Sequence, residues 1–352
     1  MAADDYAIVI GIKTYPRFGE TIADPRNLEA PDDDADAVCK WLLDKAGGDV
    51  PLTQIDVVRT SQPAPGAGAL WPNKQAVLDA FSRLETIAQN NELAGKGLRV
   101  GRRLYVYASG HGFASRRKEG ALFVADATKI QTNHIFASRW VEWFANADYF
   151  AEVVLWMDCC MVSDLSILPE TAGYRVLTNA TGGSQMFTAY AARYPLQAVE
   201  RPTPAGPYRG VFTRALLEAL NGANAEPGTG NVTSQTVRDY VTNTMRTYMT
   251  ATDLTDDLIS KEPDFGADDP IVFCSRPSGL QTVDLVNFPA ALEGQPCSIL
   301  TGAPPREAAK GAVTKGALQC QLGAGIYFAR AAGFTHGFEV PGGQHVRIDI
   351  AV

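Results

Sequence analysis

The sequence predicts an α/β protein: a mostly parallel sheet flanked by helices over residues 1–276, then a small all-β, sandwich-like domain over 277–352. Three observations predict it. Short, nearly continuous apolar runs such as 6–12 and 153–157 read as strands buried on both faces. Between such runs lie segments with apolar residues at helical spacing, and strand–helix alternation implies parallel pairing through right-handed crossovers. Beyond Pro277 the helical period stops, and short β-forming runs alternate with Gly and Pro.

Residues 6–12 form the first strand. Gly11 lacks the G-x-G-x-x-G spacing of a dinucleotide loop, so no such cofactor is expected. Acids crowd the start of a helix over 33–44, where its dipole favours them, and Val38, Trp41 and Leu42 mark its apolar face. Residues 55–58 are the second strand; 60–71, rich in Pro, Gly and Ala, is a loop. Pro72-Asn73 opens a helix carrying Val77, Phe81, Leu84 and Ala88 on one side. The third strand, 103–107, runs into Ser109-Gly110-His111-Gly112. A turn at 115–120 and a short strand at 121–125 lead to a helix marked by Phe136, Trp140 and Trp143, then to the strand 153–158. A further strand is expected at 174–177. The stretch 181–208, with four prolines between Pro195 and Pro207, reads as a polar, mobile connector. Helices come next around 212–220 and 237–248, and 270–274 is the last strand of the first domain.

With 352 residues and 46% hydrophobic content, the chain builds its core without disulfides or metals. A net charge of −8, with Arg116-Arg117-Lys118 the one basic cluster, argues against a nucleic-acid partner. Six cysteines at these spacings match no zinc pattern, so no metal site is expected. No apolar run reaches the ~18 residues that span a bilayer, and the acidic start is unlike a signal peptide. A cytoplasmic protein without membrane partners is the expectation.

Chemistry concentrates at two strand ends. In parallel α/β sheets, sites form beyond the carboxyl ends of the strands. His111 lies just past one strand and Cys160 just past the next long one, as a thiol nucleophile and its proton partner require. The amides of Gly112 and Cys160 are candidate oxyanion donors. Side chains two apart on a strand share a side. Asp158 therefore accompanies Cys160, and Ser109 accompanies His111, while Cys159 points away into the core. A cleft carboxylate at Asp158 would attract a Lys or Arg side chain; its bland alternative is a helix or turn cap. A redox pair of Cys159 and Cys160 is disfavoured, because a disulfide between neighbours is strained and no C-x-x-C is present. His336 and His345 are isolated and carry no constellation.

Tyr-Ala-Ser-Gly-His-Gly after one strand, with Asp-Cys-Cys 49 positions later (160 − 111), resembles the caspase-like cysteine peptidases, whose His lies about 50 residues upstream of the Cys. The D-x-C form is similar to metacaspases and bacterial caspase homologues. Residues 6–12, the helix entry 28–35 and the run Gly210-Val211-Phe212-Thr213-Arg214-Ala215-Leu216-Leu217 match further family stretches in order. The resemblance covers about 5–275 and implies Cys160 as nucleophile and His111 as its partner. It also implies a pocket for a basic residue lined by Asp34, Ser109 and Asp158. The implied activity is endopeptidase cleavage of proteins or peptides after Arg or Lys, without a cofactor. Met161-Val162-Ser163 replaces the family's His-Ser-Gly, and its calcium-binding acidic loop is not visible, so calcium dependence is not expected. The Pro-rich stretch around Arg193 and Arg201 is a candidate site of self-cleavage, its bland alternative a flexible connector; a zymogen silent until a protein partner or cleavage remodels its loops is a further reading, and the resemblance to bacterial relatives implies roles in defence or regulated cell death. The rival reading is a catalytically silent module that recruits a partner through its C-terminal β domain.

Overall fold

The computed structural model describes residues 3–19, 26–62, 66, 69–164, 167, 183–203, 206–226, 229–275, 281–301, 305–323, 325–340 and 345–350. Its elements run β1 (Asp5–Gly11), α1 (Pro31–Leu43), β2 (Ile55–Arg59), α2 (Lys74–Leu93), β3 (Gly101–Ser109), β4 (Gly112–Ala114), β5 (Gly120–Phe123), β6 (His134–Ile135), α3 (Ala137–Asn146) and β7 (Phe150–Asp158). Then come β8 (Gln185–Tyr190), β9 (Glu200–Pro202), β10 (Tyr208–Gly210), α4 (Val211–Glu218), β11 (Asn231–Thr233), α5 (Ser234–Thr244), α6 (Ala251–Thr255), β12 (Asp264–Asp268) and β13 (Val272–Ser275). The rest is β: β14 (Gln281–Val286), β15 (Pro296–Thr301), β16 (Arg306–Ala312), β17 (Leu318–Leu322), β18 (Gly325–Ala331), β19 (Phe334–Val340) and β20 (His345–Asp349). Two compact units result: 1–214 with 245–271, and 215–244 with 272–352. The stretch 215–244, assigned from sequence to the first domain, clusters with the C-terminal strands.

The first unit holds a six-stranded sheet in the order β12-β8-β7-β3-β1-β2. Its pairings are parallel except β12 on β8, which gives the mostly parallel α/β sheet that strand–helix alternation predicts. Alternation sorts the side chains. Ile8, Ile10, Leu104, Val106, Leu155, Met157 and Cys159 share a core with Val77 and Phe81 of α2 and with Trp140 of α3. On the other face, Trp41 of α1 meets Tyr105 and Trp156 edge-on. Tyr107 and Ser109, and Trp156 and Asp158, therefore fall on α1's side of the sheet. α1 comes very close to β1: a Cβ on Gly11 would lie 2.6 Å from the Pro31 carbonyl and 2.9 Å from Ala35 Cβ. That approach sets the first turn of α1, with Asp34, beside the strand ends. Register does the rest, placing Gly11 opposite Ser109 and Ser109 opposite Asp158.

Two expectations change, and the expected strand at 174–177 lies outside the described residues. Within the supposed connector 181–208, β8 is an inner strand whose Phe187, Ala189 and Tyr190 are buried. Its polar Thr188 is buried too, and accepts a hydrogen bond from the Ala267 amide at 2.9 Å. The sheet's last strand is β12, whose Asp- and Gly-rich sequence conceals it; the apolar 270–274 region gives β13, which pairs with β11 in the second unit.

In the second unit β17-β14-β20 and β16-β15-β18-β19 form two sheets sharing one core, including Val283, Leu285, Cys297, Ile299 and Leu318. A small β-sandwich is ordinarily antiparallel; here β14 and β20 pair in parallel. Among the described residues, no helix is long and apolar enough to cross a membrane.

Candidate active site

Beyond the carboxyl ends of β3 and β7 opens a cavity of about 190 Å³. Asp34, Ser109, His111, Asp158 and Cys160 all line it. Their positions in the chain are far apart, so the sheet register and the α1 approach are what bring them together. Gly110 contributes to its wall; Gly112 starts β4 and packs its Cα on Cys159.

The chain leaves β3 at Ser109, and Gly110 makes the turn with a φ of 155°. Tyr15 then anchors His111. Its buried hydroxyl accepts the His111 N–H at 3.0 Å and donates to the Phe123 carbonyl at 3.2 Å. Its ring lies 4.7 Å from the imidazole, with Phe18 at 5.5 Å on the same imidazole. His111 Nε2 is 2.7 Å from the Arg26 carbonyl. A carbonyl only accepts, so Nε2 carries the proton, and neutral His111 has its lone pair on Nδ1. Burial, and secondarily the Arg26 charge, holds the imidazole below its ordinary range.

β7 ends at Asp158, and from there the three neighbouring side chains part company. Cys159 is 2% exposed and lies in the core with Met157. Cys160 borders the cavity, with Sγ 3.8 Å from the Ala198 carbonyl. Burial raises the Cys160 thiol above its ordinary range, and the neighbouring Asp158 charge acts in the same direction. The resting pair is therefore a neutral thiol and a neutral imidazole.

Asp158 does two things. It lines the cavity, and its Oδ2 accepts both the Thr213 N–H (3.0 Å) and the Thr213 hydroxyl (2.6 Å) in the first turn of α4. Capping α4 and lining the cavity are thus combined in one side chain, with both Thr213 bonds on Oδ2. Burial pushes its carboxyl up to about 6, against the Thr213 bonds. Asp34, fully buried, accepts the Gly210 N–H at 3.0 Å on Oδ2 and pairs with Arg209 at 3.1 Å on Oδ1. Burial first, then the Asp158 charge, raises it well above the carboxylate range, and Arg209 opposes the rise. Gly210 lies so close to both acids that a Cβ there would enter the Asp158 carboxylate and come 3.0 Å from Asp34 Oδ2.

Glu200 is a third acid on the cavity wall that sequence reasoning missed. Its oxygens accept the Glu29 and Ala30 amides at 2.8 and 2.9 Å, which ties β9 to the entry of α1. Its signal is faint: one acid in a Pro-rich stretch. Thr213 belongs to the 210–217 run of the family resemblance, which gave it no role of its own. Tyr15 and Arg209 had no sequence signal at all. Arg193 and Arg201, read as sites of self-cleavage, are held in place. Arg201 sits in β9 with its guanidinium on Asp253, and Arg193 pairs with Glu262 at 2.6 Å. Among the described residues, no group of three or more His, Cys, Asp and Glu is arranged to hold a metal.

No protein-family model and no curated protein matches this chain. Among solved structures it is similar to caspase-1 from Spodoptera frugiperda, at 14% identity and a TM-score of 0.43, over 79% of this chain and 92% of that one. It is also similar to a protein from Geobacter sulfurreducens, at 12% identity and a TM-score of 0.45, over 78% of this chain and 98% of the other.

Proposed function

We propose that this chain is a caspase-like cysteine endopeptidase that cleaves proteins or peptides after Arg or Lys. One observation carries the reading: a thiol, an imidazole with its Nδ1 lone pair free, and the carboxylates of Asp34, Asp158 and Glu200 share one cavity. In the reaction His111 Nδ1 takes the Cys160 proton as sulfur attacks the scissile carbonyl. The carbonyl oxygen becomes an oxyanion, for which the Gly112 and Cys160 amides are the proposed donors. Imidazolium then protonates the leaving amine, and water attacks the thioester to release the acid and restore the thiol. The carboxylates account for a basic residue on the amino side of the cut. Calcium enters none of these steps.

The neutral thiol, within reach of the Ala198 carbonyl, supports a resting form that substrate or a protein partner activates. The test is incubation of the intact chain with fluorogenic Arg, Lys and Asp peptides, beside a Cys160→Ala variant. Cleavage confined to basic peptides and lost in the variant is expected. Cleavage that survives Cys160→Ala overturns the assignment, and an intact chain inert under all conditions favours the silent module.

A further inference from the structure

The carbonyl that faces the far nitrogen of His111 comes from an exposed stretch between β1 and α1. Arg26 supplies it, 2.7 Å from Nε2, and Arg26 lies in no helix or strand. The bond one ring nitrogen makes decides which nitrogen carries the proton. A carbonyl can enforce that choice only if its own position is fixed.

Two hydrogen bonds hold the chain just after Arg26. The Leu28 N–H donates to the Lys13 carbonyl at 2.9 Å, and Asn27 Oδ1 accepts the Tyr15 N–H at 2.8 Å. The first is backbone to backbone, so any residue at 28 with an amide proton would make it. The second depends on a single side chain, that of the residue next to Arg26. An asparagine that merely closed a turn would bond to its own backbone two residues on. Asn27 instead reaches back 12 positions.

The residue it reaches is the one that anchors His111. Tyr15 is fully buried, and its hydroxyl accepts the His111 N–H at 3.0 Å while donating to the Phe123 carbonyl at 3.2 Å. The bonds close into a circuit. The His111 N–H runs to the Tyr15 hydroxyl, the Tyr15 N–H to Asn27, and the Arg26 carbonyl back to His111 Nε2. Tyr15 thus sets the backbone end of His111 directly and its far ring nitrogen through Asn27.

Resting on the reading of His111 and Cys160 as the catalytic pair, we propose that Asn27 is a positioning residue, which holds the Arg26 carbonyl on His111 Nε2 and so keeps the lone pair on Nδ1, where the thiol proton must go. Without that bond the carbonyl is no longer fixed. Neutral His111 then samples the tautomer that carries its proton on Nδ1 and cannot take another there, and the tilt of the ring is no longer set.

Asn27→Ala removes the acceptor, and the exposed position lets the fold survive. The first readout needs no activity. It is NMR of the imidazole nitrogens in intact, isotopically labelled Cys160→Ala protein at pH 8, above the lowered range of His111, whose signals are identified by their loss in His111→Gln. With Asn27 present, Nε2 is expected to resonate as a protonated nitrogen and Nδ1 as a bare one. In Asn27→Ala the two signals should draw together as the tautomers exchange. The second readout is cleavage of an Arg peptide with Cys160 in place: kcat should fall about tenfold with KM nearly unchanged. Asn27→Asp keeps an oxygen for the Tyr15 N–H and should return both readouts toward the parent. A merely structural role would lower the melting temperature and leave the tautomer alone. Nitrogen signals in Asn27→Ala as well separated as in the parent overturn the inference while the catalytic reading stands. So does averaging in Asn27→Asp equal to that in Asn27→Ala. A parent that cleaves no Arg peptide overturns the catalytic reading instead, and the nitrogen signals still decide the role of Asn27.

Discussion

Asp158→Asn separates what this carboxylate does for substrate from what it does to the fold. In the folded chain its carboxyl sits at about 6, against 3.8 for an unburied group, chiefly because the side chain is buried. The protonated form is therefore the one the fold prefers. Stability from this group is fully present below pH 3.8 and is lost as pH rises through about 6. At roughly 1.36 kcal/mol per pH unit, the gap amounts to about 3 kcal/mol against the native state at pH 8. Asparagine does not titrate. Its amide oxygen can still accept from Thr213 on the Oδ2 side, with the amide nitrogen toward the cavity. Removing the charge also relieves Asp34, which Asp158 pushes up. Asp158→Asn should therefore be more stable than the parent at pH 8 by up to about 3 kcal/mol, and close to it at pH 4. For a chain of this size that is a rise of about 4 °C in Tm, from an unfolding entropy of roughly 2.1 cal/mol/K per residue. Differential scanning calorimetry at the two pH values measures it. The same variant should lose roughly 10- to 100-fold in kcat/KM on Arg peptides. Equal offsets at pH 4 and pH 8, or a less stable variant at pH 8, refute the reasoning.

The same geometry sets further outcomes. Cys159→Ala, in the core, should cost about 1 kcal/mol of stability in urea denaturation and leave peptide cleavage largely intact; inactivity to match Cys160→Ala would contradict the separate placement of the two thiols. The raised thiol and lowered imidazole predict that iodoacetamide alkylation of Cys160, followed by mass spectrometry, climbs only above the ordinary thiol range. A reactive plateau extending below pH 7 would mean an ion pair and would count against the neutral resting site. Gly210→Ala drives a methyl group into the Asp158 carboxylate, and about 1–3 kcal/mol of destabilisation with loss of cleavage after Arg is expected. A stable Gly210→Ala variant with normal cleavage would show that the two acids do not meet there.

The sheet was legible because its strands are buried on both faces, which turns them into apolar runs visible at the sequence level. Side-chain parity was legible too: Cys159 enters the core and Asp158 takes the other side, as a two-residue period demands. β8 and β12 were not. Thr188 is a polar residue buried because it has a backbone donor, and β12 reads DFGAD because an edge strand needs less apolar surface. Nothing local signals either. The supports of the site were hidden for a related reason. Tyr15 reaches His111 across 96 positions, and Gly210 reaches Asp34 across 176, so these contacts exist only once the sheet is assembled. Glu200 was obscured by the prolines around it, although its carboxylate is held by two consecutive amides.

Asp34 and Asp158 converge on the same short stretch, and this governs how the pocket is to be tested. Asp158 caps Thr213 in the first turn of α4, and Asp34 holds the Gly210 amide just ahead of that turn. The unsatisfied amides and positive dipole end of a helix favour carboxylates there. Arg209 adds a full charge beside Asp34. These groups counter the burial that drives both acids toward their neutral forms, so a buried pocket can remain negative. They also make each acid structural. Replacing either by alanine would strip α4 of a cap and leave buried amide or hydroxyl donors unpaired, so loss of activity would not distinguish recognition from unfolding. Amide variants keep an acceptor and remove only the charge. Asp34→Asn, unlike Asp158→Asn, also leaves Arg209 without its carboxylate. Burial nevertheless outweighs Arg209 and raises Asp34 as it raises Asp158, so Asp34→Asn should likewise gain stability relative to the parent between pH 4 and pH 8, with the lost ion pair offsetting part of the gain. Opposite signs from the two neighbouring acids, read in one calorimetric comparison, would refute this and mean that Arg209 and not burial decides the charge state of Asp34.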